Sequence, residues 1–372
     1  MFSGFYQNKR VFLTGHTGFK GSWLSEWLLM LGAEVHGYAL DPQPHEILFD
    51  QLGLSSRLAS DTRADLADQT SLGKALQAAR PEIVFHLAAQ PLVRLSYEIP
   101  VLTFATNVMG TAHLLEAVRS SRSPCTVVAV TTDKCYENRE WLHAYREADA
   151  MGGHDPYSAS KGAAELVIAS YRSSFFSPAC RPAVPVRLAS ARAGNVIGGG
   201  DWAPDRIIPD CFRTQRAGGA IPVRNKTATR PWQHVLEPLS GYLHLAATLA
   251  SDPGPRTEVL SSAFNFGPRL ASNRTVAELV AELLRHTGGT WQDASDPGAP
   301  HEASRLNLSI DKAFHLLQWE PVWDFGQTLE KTAEWYLGEA CASAPRDLTR
   351  SQIAAYGRAA GAKRIPWAVT SA

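Results

Sequence analysis

Along the first hundred and thirty or so residues, short aliphatic and β-branched runs alternate with stretches whose apolar positions recur every three or four residues. That alternation predicts repeated strand–helix–strand units and a parallel sheet. The strand candidates are Arg10 to Thr14, Glu34 to Leu40, Ile83 to Leu87 and Thr126 to Thr131. After the first of them, Trp23, Leu24, Trp27, Leu28 and Leu31 fall along one helical face, and Gly32 supplies the stop. Further helices are expected at Phe104 to Val118 and Ser158 to Tyr171, each returning the chain toward the next strand.

Beyond Pro185 the pattern becomes irregular: Gly194 and Gly198 to Gly200 are followed by several prolines. Helical spacing returns at Val235 to Ala250, Val276 to Thr287 and Phe325 to Ala340, with a strand-like stretch at Ala263 to Phe266. The expected fold class is therefore α/β, a Rossmann-type doubly wound parallel sheet with a smaller, loop-rich C-terminal substrate domain. Residues 1–190 form the nucleotide-binding domain, with roughly 233–265 returning to it; 191–345 belong mainly to the substrate domain. Residues 346–372 show little periodicity and are expected to be a loosely packed tail.

Charge narrows the partners. Lys+Arg total 36 against Asp+Glu 36, which argues against nucleic acid or an anionic membrane surface as the partner. The longest apolar stretches, Ile83 to Ala89 and Thr126 to Val130, fall far short of the ~20 residues of a membrane span. Five scattered cysteines, with no C-x-x-C pair and no histidine at ligand spacing, read as reduced thiols of a cytoplasmic protein without a metal site. The polar Gln7 to Arg10 leads straight into a strand with no secretory apolar region, so the mature chain is expected to start near Met1.

Two motifs carry the chemistry. Thr14 to Gly21 reads TGHTGFKG between the first strand and first helix, so that Gly15, Gly18 and Gly21 permit a tight turn, close approach of a pyrophosphate and close helix packing. His16, Phe19 and Lys20 line the same loop, where His16 and Lys20 either screen pyrophosphate charge or are plain loop residues. Asp41, about twenty residues further on, is placed to accept hydrogen bonds from a ribose diol and to repel a 2′-phosphate, favouring NAD over NADP, or else it only opens a turn with Pro42. The second motif, DPYSASKGAAE, sets Tyr157 and Lys161 four residues apart at the start of a helix, on one face. An adjacent ammonium favours the phenolate, so Tyr157 can take a proton from a sugar hydroxyl as hydride leaves the same carbon.

Taken together these motifs resemble the extended short-chain dehydrogenase/reductase family over nearly the whole chain. HLAAQP (His86 to Pro91) resembles the family's fourth-strand motif, whose backbone at Leu87, Ala88 and Ala89 lines the cofactor groove; Asp65-Leu66 resembles its adenine-contacting pair. TNVMGTAHLLEAVR (Thr106 to Arg119) and FNFGP (Phe264 to Pro268) resemble its following helix and a late strand. The fifth-strand motif VTTDKCYEN carries Thr132-Asp133-Lys134, similar to that of the dehydratases acting on CDP-hexoses, as are GHTGFKGSWL, AAQPLVRLSY, ARAGNVIGGGDWA and RPWQHVLEPLSGYL.

The resemblance implies an NAD-dependent lyase in which Tyr157, Thr132 and Lys161 serve oxidation at C4 and Asp133 acts as acid toward the C6 hydroxyl. Lys134 stands where sister enzymes carry a carboxylate base; it is either a base with a depressed pKa or a cation stabilising an enolate. Asn195 and Arg230 are the implied substrate diphosphate ligands, while Arg206, His301 and Arg305 either join them or are ordinary surface residues. Trp202 and Trp232 either wall the nucleotide or fill the core. A homodimer through a four-helix interface and deoxysugar supply for surface polysaccharide (lipopolysaccharide O-antigen) are implied too. The rival readings are another nucleotide-sugar 4,6-dehydratase or a 4-epimerase, and a catalytically silent NAD-binding scaffold.

Overall fold

The computed structural model describes all residues except 46, 181–184, 253, 255, 296–304 and 370–372. Seven parallel strands, β1 (Arg10–Thr14), β2 (Glu34–Ala39), β3 (Ser60–Arg63), β4 (Ile83–His86), β5 (Cys125–Val130), β6 (Val186–Ala193) and β7 (Ala263–Phe266), lie in the order β7-β6-β5-β4-β1-β2-β3. The order reverses between β1 and β4, which opens a crevice at their carboxyl ends.

Both faces of the sheet are covered, which is why β4 and β5 read as unbroken apolar runs. Alternate positions along each strand feed separate cores. Val11, Leu13, Ile83, Phe85 and Val128 face α1 (Phe19–Met30) and the later helices, whereas Phe12, Val84, Val127 and Leu188 pack with Leu72 and Leu76 of α2 (Gln69–Ala79), Leu114 and Val118 of α3 (Gly110–Ser121), and Ile168 of α4 (Pro156–Tyr171). The helix expected at Phe104 to Val118 contains a π turn at Ala105–Met109 ahead of α3. Such single π turns mark places where a side chain is re-aimed inward, and here Asn107 is the buried one.

Beyond β6 come α5 (Ile207–Arg216), α6 (Leu236–Ser251), α7 (Val276–Thr287) and α8 (Phe325–Ala340). Reciprocal capping boxes, Thr275 with Glu278 and Asp324 with Gln327, fix the starts of α7 and α8. Helix α6 sits against the sheet and leads into β7.

The tail expected to be loose is instead an ordered helix, α9 (Pro345–Ala362), with Pro345 in its first turn. Its buried positions Ile353, Tyr356 and Ala360 seat on α1 and α8, and the Tyr356 hydroxyl donates to Glu237 Oε2 at 2.6 Å. Glu237 also accepts from the backbone N–H of Val322 (2.9 Å) and Trp323 (2.7 Å). Burial pushes its carboxyl up to about 7. Trp367 stacks on Phe2 (ring centroids 5.1 Å) and on Tyr356 (5.7 Å), so the chain's first residues and its last helix close over Trp27 together. Among the described residues, no helix is long and apolar enough to cross a membrane.

Candidate active site

The glycine loop is built for close approach. Gly15 has φ +74°, and a Cβ there would lie 2.6 Å from the Ala88 backbone nitrogen; a Cβ on Gly21 would lie 2.0 Å from the Gly15 carbonyl. Neither neighbour can yield, because each is backbone. Gly18 caps α1 without a side chain, leaving the amides of Phe19, Lys20 and Gly21 at an open helix N-terminus, an arrangement suited to an anion. Leu87, Ala88 and Ala89 follow β4 on the other lip of the crevice, held by Ala88 N donating to Thr14 Oγ1 at 3.2 Å.

Not every loop residue faces the crevice. His16 is buried against Gly37 and the edge of Phe49, with Nε2 2.8 Å from Asp61 Oδ1, and burial lowers its pKa. Burial alone would raise the pKa of Asp61, but its bonds to Arg63 and His16 hold it down to about 2. Asp41 lies two residues beyond the end of β2; its side chain is 87% exposed and 3.9 Å from Arg63 Nη1. Asp65 uses its carboxylate to accept from Ala67 N (2.8 Å), and Leu66 packs under Gly110.

The catalytic candidates converge at the carboxyl end of β5. Thr132 donates to Asp133 Oδ1 (2.9 Å) and accepts from Lys134 N (3.3 Å), which starts the short 3-10 turn Asp133–Cys135. Asp133 is 1% exposed; among the described residues its Oδ2 has no hydrogen-bond partner, and a Cβ on Gly194 would come within 2.8 Å of it. Lys134 is half-buried beside it. Asp155 caps α4 by accepting from Ser158 N at 2.9 Å, and Ser96 Oγ receives the Tyr157 N–H at 3.2 Å, so the phenol enters from a fixed helix start.

Burial pushes the Tyr157 phenol up to about 12, opposed by a hydrogen bond with Thr132 and by the Arg206 charge. Burial also lowers Lys161 to about 8, with Glu165 favouring its ammonium form. Lys20 is lowered to about 8 by burial and feels Arg206, Asp133 and Lys161, so its ammonium reaches the same chamber.

On the opposite side, Asn195 is partly buried just past β6, and Arg206, at the start of α5, donates to Asp201 Oδ2 at 2.7 Å. Arg230 is buried in the short strand Thr229–Pro231, with Nη1 bonded to the Thr229 carbonyl at 2.8 Å. Arg305 is exposed and its backbone N–H meets Glu140 Oε2 at 2.8 Å; His301 lies outside the described residues. Trp202 and Trp232 fill the core, Trp202 edge-on to Tyr336 at 5.0 Å and Trp232 bonded to the Arg274 carbonyl at 3.0 Å.

Several buried polar residues went unnoticed in the sequence. Asn107 donates to Ser160 Oγ (2.8 Å) and the Gln90 carbonyl (3.1 Å) and accepts from Gln90 N (2.8 Å), stitching the β4 loop to α4. His86 is lowered to about 3 by burial, between Thr14 (2.7 Å) and Thr111 (3.0 Å). Glu165 and Arg192 pair at 2.9 Å behind Lys161. Only the fold brings these groups together, so no spacing signalled them.

The profile of the family described as GDP-mannose 4,6 dehydratase matches residues 12–332. The chain is 49% identical over 336 residues to the CDP-glucose 4,6-dehydratase of Salmonella typhimurium, covering 89% of this chain and 91% of the relative. Among solved structures, a dTDP-glucose 4,6-dehydratase from Streptomyces venezuelae with NAD bound superposes with a TM-score of 0.73 at 23% identity, covering 90% of this chain and 99% of that one. A UDP-glucose-4-epimerase from Stenotrophomonas maltophila with bound NAD reaches 0.74 at 20% identity, with coverages of 90% and 100%.

Proposed function

The chain belongs to the GDP-mannose 4,6-dehydratase family, and from that premise we propose that it dehydrates CDP-D-glucose to CDP-4-keto-6-deoxy-D-glucose with NAD as a recycled cofactor. The observation that carries this reading is the buried Asp133 carboxyl, bonded to Thr132 beside Tyr157 and Lys161, in a chain 49% identical to a curated CDP-glucose 4,6-dehydratase.

The residues present fit the cofactor: the Gly15 and Gly21 contacts leave no room for side chains, and the open start of α1 suits a pyrophosphate. When bound, NAD accepts hydride from C4 of the hexose and later returns it to C6. The protein moves the protons. Tyr157 removes that of the 4-hydroxyl, with Thr132 hydrogen-bonded at the same oxygen and the Lys161 ammonium favouring the phenolate. The resulting ketone acidifies C5–H. Lys134, in its neutral form, would take the C5 proton and then stand as a cation beside the enolate, and Asp133 donates a proton to the departing C6 hydroxyl. Asn195, Arg206 and Arg230 hold the substrate diphosphate, and Lys20 adds charge on the cofactor side.

The purified protein is expected to convert CDP-glucose, with catalytic NAD in deuterated buffer, to a nucleotide sugar lighter by one water and carrying one solvent deuterium, read by mass spectrometry. Conversion only of dTDP-, UDP- or GDP-hexoses would overturn the choice of nucleotide. Inertness toward all of them would favour a silent scaffold.

The same reading includes a cytoplasmic homodimer that supplies deoxysugar for surface polysaccharide, including lipopolysaccharide O-antigen. An apolar surface supports the dimer: Val101 (80% exposed) and Leu166 (63% exposed) stand out from the segment Pro100–Phe104 and from α4, which pack on each other. The wild type is expected to sediment as a dimer and the Val101→Asp/Leu166→Asp variant as a monomer. A wild-type monomer at working concentration would refute the interface.

A further inference from the structure

Behind the catalytic lysine lies a buried ion pair that the proposed reaction does not use directly. Glu165 sits one helical turn beyond Lys161 on α4, and both side chains are buried. Its carboxylate is saturated: Oε1 accepts from Thr131 Oγ1 at 2.5 Å, and Oε2 accepts from Ser190 Oγ at 2.8 Å and from Arg192 Nη2 at 2.9 Å. Arg192 in turn donates through Nη1 to the Tyr136 hydroxyl (2.8 Å) and the Glu147 carbonyl (3.1 Å), and Tyr136 donates to Asn265 Oδ1 at 2.7 Å. One carboxylate thus ties the end of β5, immediately before Thr132, to β6 and to the helix carrying Tyr157 and Lys161.

We propose that Glu165, clamped by Arg192, is a positioning residue for the oxidation step, holding Lys161 as an ammonium and fixing the β5 end against α4. The inference rests on the proposed dehydratase reading for its catalytic consequence, though not for its physical content. The groups facing Lys161 are Glu165 on α4, Cys135 of the 3-10 turn, His86 at the end of β4 and Lys20 of α1. Those facing Glu165 are Arg192 of β6, Arg172 beyond α4 and Cys135. Of these, His86 is buried neutral and Lys20 is a like charge, so Glu165 is the anion that sustains the ammonium of Lys161. Arg192 keeps that anion ionised in a buried setting and carries the strain of burial with it.

Two variants test this. Glu165→Gln preserves shape but leaves the Arg192 guanidinium uncompensated; Glu165→Gln/Arg192→Met removes both charges and keeps the test valid if the single variant folds poorly. In protein labelled with nitrogen-enriched lysine, the Lys161 resonance is assigned by its loss in Lys161→Arg and titrated with NAD present and no sugar. Its midpoint is expected to fall by about one pH unit or more in Glu165→Gln, since removing a nearby anion disfavours the ammonium, and by less in the double variant, where the Arg192 charge leaves as well. The alkaline limb of the turnover profile moves to lower pH by the same interval. An unchanged Lys161 midpoint in both variants, or a loss of turnover uniform across pH, would overturn the proposal. If no hexose supports turnover in the wild type, the proposed function fails while the lysine titration still decides this inference.

Discussion

Tyr157→Phe is expected to lower turnover of CDP-glucose by roughly 10³-fold while leaving the affinity for NAD unchanged. The phenol is the one group placed at the start of α4, with its backbone fixed by Ser96 and its oxygen hydrogen-bonded with Thr132. Phenylalanine keeps the ring and its burial, so the glycine loop and the sheet edge that hold the cofactor are untouched. Burial pushes the phenol up to about 12, far from a useful base at neutral pH. The Thr132 hydrogen bond and the Arg206 charge oppose that rise, and the positive charge of an oxidised nicotinamide would lower it further. The same sign argument makes wild-type turnover rise with pH as the phenol ionises and fall as Lys161 loses its proton. Retention of full activity by the phenylalanine variant, measured by steady-state assay and calorimetric titration with NAD, would remove Tyr157 from the mechanism.

Asp133→Asn separates the second half of the reaction from the first. The amide can still accept the Thr132 hydroxyl proton as Asp133 Oδ1 does, but it has no acidic proton for a leaving hydroxyl. Overall dehydration is expected to drop by about 10³-fold. Reduced-cofactor absorbance should nevertheless develop with CDP-glucose in a single turnover and persist, and solvent deuterium should enter C5 without loss of water. Simultaneous loss of cofactor reduction and C5 exchange would make Asp133 a support for Thr132 and Tyr157, not the acid.

The parallel sheet and the lips of the crevice were legible because each depends on local pattern. The runs Arg10 to Thr14 and Thr126 to Val130 are apolar because helices cover both faces, and Gly15 and Gly21 stand where a Cβ would strike backbone. The spacing of Tyr157 and Lys161 drew notice only in company with the glycine loop ahead of it, since a tyrosine and a lysine four residues apart are common by chance. What escaped notice was long-range pairing. Glu165 and Arg192 meet across a helix and a strand, Asn107 is turned inward by a π turn, and His16 leaves the phosphate loop for Asp61 on β3. Helix α9 was missed because its buried stripe, Thr349, Gln352, Ile353, Tyr356 and Ala360, is mostly polar or small and so carries little periodic apolar signal. Its stability comes from aromatic packing on Trp27 and Trp367, which no local window contains.

That closure has a consequence for the order of synthesis. Helix α1 leaves the ribosome well before its outer cover, α9 with Trp367, has been made. Until then Trp27, buried in the finished protein, has part of its packing surface open. A nascent chain paused before Pro345 therefore displays an apolar aromatic face beside a completed sheet, the kind of surface that chaperones bind and that partly made chains aggregate through.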